Sequence, residues 1–287
     1  MRLPAKLVAD TTATAATAVA AALHSKVASG SLSPEDFWRV VEGLLAAAMQ
    51  TLDAIYYLAA ESQPKVFPPQ AAMLIRSLLE NLANVLALSE APHERLGLYA
   101  RDSYRSVSEA YAWLRERHGE DPVWANLLKR YDVARAEEAK AIGLTEQEAQ
   151  DATTLLRWPT PGAMVDKSKR RTPFKLAGER AAVFGQIYDA WYANLSMIAH
   201  QRLPGIEKSV VVDEPSPQER KDLASDILTS ACFFLACILT EIQSFAALPA
   251  SAQLQEAWVY IEGRSDETRA AYNARYKRLL EERHEPA

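Results

Sequence analysis

Five polar side chains stand where the surrounding pattern is apolar, and they are the residues best placed to do chemistry. Arg76 and Glu80 are the only charges between Ala71 and Leu88, and their four-residue spacing puts them on one helical face. Far downstream, Tyr192, Ser196 and His200 recur every fourth residue among Phe184, Ile187, Trp191, Leu195 and Ile198. An Arg enclosed by neighbouring helices needs a partner, because a lone charge in a low-dielectric interior costs several kcal/mol. Glu80 can supply that partner, with help from Asn81 or Asn84. The two strips are most easily satisfied if they face each other, so Arg76, Glu80, Tyr192, Ser196 and His200 are expected to meet in one cluster. On that reading Arg76→Ala strands Glu80 and destabilises by several kcal/mol.

Three chemistries fit parts of this set. His200 as general base or acid, with Arg76 stabilising a pentacovalent phosphate, would make a metal-independent ribonuclease. Ser196 and His200 one turn apart, with Glu80 orienting the ring, would make a hydrolase. A nucleophile in mid-helix, however, lacks the strained turn and the paired backbone N–H groups such enzymes use. The third reading is architectural: a polar network that fixes helix register. No HExxH, Walker loop or GxGxxG occurs, and no metal site or cofactor is expected.

The elements that must position these residues are helices. Ser33-Pro34-Glu35-Asp36 is a helix start, with Ser as N-cap and Pro at the first helical position; that helix runs to about Ser62. Pro64, Pro68 and Pro69 close it, and a second helix runs from near Pro69 to Ser89. Pro92 opens a third that ends at His118-Gly119. Asp121-Pro122 caps a fourth that stops near Gly143, and Thr145-Glu146-Gln147-Glu148 is a capping box. Residues 157–175 form a turn-rich connector, after which a helix covers about Ala177 to His200. Val210-Val211-Val212 is the one strand-like triplet. Ser216-Pro217 starts an apolar helix that carries Cys232 and Cys237 and stops at Leu248-Pro249. A long final helix is expected from about Ala250 to Arg283.

The fold class is therefore all-α: a single bundle of about seven to nine helices with a long C-terminal helix. Its parts are an Ala/Thr-rich N-terminal helix (1–32), a bundle core (33–248) and a charged, aromatic C-terminal helix (249–287). With alternating strands missing, an α/β nucleotide-binding sheet has no basis.

Composition narrows the function classes. Of 287 residues, 49% are hydrophobic and 24% charged, which places the chain among globular proteins rather than disordered or fibrous ones. A net charge of −5 argues against a protein that coats DNA. Asp10 and the N-terminal threonines interrupt any signal-peptide core, and the uncharged run around Cys232 is shorter than the ~20 residues that span a bilayer. A cytoplasmic location with reduced cysteines and no membrane contact is expected.

Two features point to partners. Lys167, Lys169, Arg170, Arg171 and Lys175 form the concentrated basic patch, a solvated loop or a handle for RNA, DNA or a phosphorylated protein. Trp258, Tyr260, Tyr272 and Tyr276 are too many rings for a free solvated helix. They either fold back on the bundle or bury against a second copy, and a homodimer through the C-terminal helix is the favoured expectation.

Arg76-Ser77-Leu78-Leu79-Glu80, with Tyr188 and then Tyr192-x-x-Leu195-Ser196-x-x-x-His200, resembles a helical domain-of-unknown-function family of bacteria and archaea. The resemblance covers about residues 40 to 245. It implies a fold and a site rather than a reaction, since that family has no agreed activity. The family is loosely similar to HEPN-type helical proteins, many of them ribonucleases of toxin and phage-defence systems. Their motif is Arg, four to six residues, then His; His200 has no Arg at that distance, whereas Arg278 and His284 fit it near the chain end. The expectation is a protein acting through protein or nucleic-acid contacts, with a HEPN-like ribonuclease as the alternative.

Overall fold

The computed structural model describes residues 5–28, 35–60, 67–166, 172–199, 217–248 and 251–281. Within them the long helices are α1 (Ala5–Ala28), α2 (Glu35–Ala60), α3 (Phe67–Glu90), α4 (Pro92–His118), α5 (Pro122–Ala141), α8 (Gly178–Ala199), α9 (Pro217–Phe245) and α10 (Ala252–Ile261). Short segments α6 (Glu146–Gln150), α7 (Pro161–Val165), α11 (Asp266–Ala271) and α12 (Lys277–Glu281) fill in between. No strand occurs among the described residues, and the all-α bundle holds. Ser33, Pro64 and the Val210–Val212 triplet lie outside the described residues.

The bundle is built around α9. Every residue from Ala231 to Leu239 is fully buried, as a helix apolar on all sides demands. α1, α2, α3 and α10 pack on it, and α8 packs on α3 and sets Trp191 against Phe233 and Phe234 of α9. Ala224–Phe245 is long and apolar enough to cross a membrane, and most of it lies buried inside the bundle. The threonines of α1 are accommodated by bonding back to their own helix: Thr12 Oγ1, fully buried, donates to the Val8 carbonyl at 2.7 Å.

Two expected elements differ. The connector at 157–175 holds a short helix: Thr160 caps α7, its side chain accepting from Ala163 N, and Pro161 stands at the first helical position. The final helix is broken rather than continuous. α10 stops at Ile261, and Ser265 caps α11 in a capping box with Thr268, whose hydroxyl also donates to the Ile261 carbonyl at 3.0 Å. A π-helical turn over Tyr272–Tyr276 then rotates the chain so that Arg275 and Tyr276 both point inward. Trp258 and Tyr276 stack on each other at 5.1 Å and are fully buried in the chain's own core. The rings that prompted a contact with a second copy through this helix are thus largely covered by the bundle itself.

α4 and α5 form an antiparallel arm held mainly by its own contacts. Its small separate core is Tyr104, Ala139, Ala152 and Leu155.

Candidate functional site

α3 and α8 bring three of the five polar residues together. Arg76 Nε donates to Glu80 Oε1 at 3.0 Å, one helical turn away. Its Nη2 donates to the Tyr192 hydroxyl at 3.2 Å, and its guanidinium lies 5.1 Å from the Tyr192 ring centroid. Tyr192 in turn stacks on Tyr188, with ring centroids 4.3 Å apart. The helical spacing of α8 carries on through Ser196 toward His200. His200 itself, with Lys167, Lys169, Arg170 and Arg171, lies outside the described residues, as does the Ser196 side chain.

The cluster is half open, which corrects the expected energetics. Arg76 is 21% exposed and Glu80 42% exposed. A carboxylate that reaches water is not stranded when its partner is removed, so the pair belongs with partly exposed bridges worth about 1 kcal/mol, not with sealed ones. Nor do the neighbouring amides help Glu80. Asn81 Nδ2 donates to the Leu44 carbonyl at 2.6 Å and ties α3 to α2, while Asn84 Oδ1 accepts from Trp158 Nε1 at 2.9 Å.

That Trp158 contact shows what the connector does. Trp158 packs edge-on against Tyr99 and Phe174, and Gly162 passes directly over Tyr188. A Cβ at 162 would stand 2.5 Å from the Tyr188 hydroxyl oxygen, so only glycine lets α7 approach α8 this closely. Burial, then the neighbouring Tyr192, pushes the Tyr188 phenol up to about 12, so Tyr188 is neutral at ordinary pH. Lys175 is tied in as well: its Nζ donates to the Asp166 carbonyl at 2.6 Å, and its own carbonyl accepts from Arg95. Arg95, buried, also donates to the Ala87 carbonyl, pairs with Glu90 at 2.6 Å and lies 4.2 Å from the Phe174 ring centroid. Lys175 is thereby tied to the residue at which α7 ends.

The most deeply sealed charges are elsewhere, and composition gave little sign of them. Glu241, fully buried near the end of α9, accepts from Arg275 Nε at 2.5 Å and Nη2 at 2.8 Å. Arg275 Nη1 donates to Glu179 at 2.7 Å, Arg278 pairs with the same carboxylate, and Arg180 lies 3.8 Å from Glu241. Burial pushes the Glu179 carboxyl up, but Arg278 and Arg275 outweigh it and hold it below the usual range. The one signal in sequence was Glu241 ending an apolar run with no basic residue near it in the chain. No three His, Cys, Asp or Glu side chains converge as metal ligands among the described residues.

Chemically, the α3–α8 cluster can orient helices, and the part of Arg76 and Glu80 that reaches water can meet a partner. The model of a family of unknown function (DUF5677) matches residues 39–218, a span that includes every residue of the cluster and the connector over it. Neither a curated protein nor a solved structure matches the chain.

Proposed function

The chain belongs to the DUF5677 family of unknown function, and we propose that it works without catalysis, through contacts with other protein chains. The observation that carries this reading is the state of Arg76. A guanidinium meant to stabilise a phosphate in a transition state should face an open anion site. Here it is compensated by Glu80 and engaged by Tyr192 through both a hydrogen bond and its ring face. That arrangement suits a tie between distant helices. A chain charge of −5 favours protein over nucleic acid as the partner. A cytoplasmic location belongs to the same reading, supported by two buried free thiols.

The ribonuclease reading keeps one supporting observation: α8 leads from Tyr192, in contact with Arg76, toward His200. Incubating total RNA with the purified protein in EDTA, beside a His200→Ala variant, separates the two. We expect intact RNA with both proteins. Cleavage by the wild type that disappears in His200→Ala would replace the contact reading with an enzymatic one.

A further inference from the structure

The α4–α5 arm carries most of the large apolar side chains exposed on this molecule, among them Val107, Trp113, Val123, Leu127, Tyr131 and Val133. α5 buries Leu128 and Ala139 toward α4. Its opposite face holds Asn126, Leu127, Arg130, Val133, Ala134 and Glu137, which line a shallow groove along the helix. Val133, at its centre, is 53% exposed. A solvated helix face has no need of this apolar strip.

The charges on that face follow a mirror pattern. Arg130 lies before the Val133–Ala134 midpoint, and Glu137 lies the same number of residues after it. No ion pair within the described structure engages either of the two. We propose that α5 is the interface of a homodimer, in which two copies pack their α5 helices antiparallel about a two-fold axis through Val133 and Ala134. Such an axis sets Arg130 against Glu137 of the second copy. That pair is then made twice, as a self-complementary two-fold interface requires. From Asn126 to Ala141 no two like charges occupy mirrored positions. Val133 meets Ala134, whose small side chain lets the helices approach.

Two helices about 30 Å long bury little area, so the association is of the weak, concentration-dependent kind. This inference goes beyond the contact reading and stands apart from it: RNA cleavage would overturn that reading and leave the dimer untouched. Sedimentation velocity of the full chain over a range of concentrations tests it. The wild type should shift from monomer toward dimer as concentration rises, and more weakly at high salt, where surface charges are screened. Arg130→Glu should weaken dimerisation about tenfold or more, since it sets like charges opposite one another at two places. Glu137→Arg should do the same, and the double variant R130E/E137R should restore it, because the swap recreates the pattern in mirror image. Val133→Glu should abolish it. A monomer at every concentration, or a dimer indifferent to these substitutions, overturns the proposal.

Discussion

Glu241 and Arg275, from α9 and the π-helical turn after α11, share a two-pronged ion pair in which the carboxylate is sealed from water. Arg275→Met leaves Glu241 buried without its partner and should destabilise the fold by about 3–5 kcal/mol. The double variant E241M/R275M should lose less than the single one, since the fully buried carboxylate is then gone as well. Urea unfolding followed by circular dichroism measures both; a single variant as stable as the wild type contradicts the assignment.

This pair also shows where the sequence was readable and where it was not. Periodicity revealed α3, α8 and α9, and the match of polar strips revealed Arg76 meeting Tyr192, because each strip stood out against apolar neighbours at helical spacing. Arg275 had no such contrast. It sits in a charged stretch that looks solvated, and only the break at Ser265 and the extra residue of the π turn rotate it inward. Trp158 and Gly162 were visible as turn residues, but a contact to Asn84 or Tyr188 depends on how the connector folds over α3 and α8, which local pattern does not encode. The half-open state of Glu80 was hidden for the same reason: a helical wheel shows which face a residue is on, not how far its neighbours extend.

Glu179 gives the fold an acid-sensitive contact. Its carboxyl is held below the ordinary 4.5 by Arg278 and Arg275 despite burial. A depressed folded value means the stabilisation is complete above that ordinary value and is lost as pH falls through the depressed one. Melting temperatures of the wild type and Glu179→Gln should therefore differ by a constant amount near neutral pH and converge below about pH 4.5. A gap that persists unchanged into strong acid contradicts this.

Cys232 and Cys237 should be inert to thiol reagents in the native protein. Burial pushes the Cys232 thiol up to about 12 and holds the Cys237 thiol well above its usual range, so the reactive thiolate is scarce and shielded. Labelling with an aromatic disulfide at pH 8 should be slow in buffer and reach both residues in urea. Rapid native labelling would mean that α9 is not the enclosed centre described above.

The tie between α3 and α8 is the claim on which the rest depends, and a double-mutant cycle on Arg76 and Tyr192 measures it directly. Arg76→Met and Tyr192→Phe should each cost about 1 kcal/mol, as expected for partly exposed polar contacts. The double variant should cost less than the sum by about 0.5–1.5 kcal/mol, the coupling of a hydrogen bond that both singles remove. Strictly additive losses would contradict the account, because they would mean that the guanidinium and the phenol stabilise the fold independently of each other.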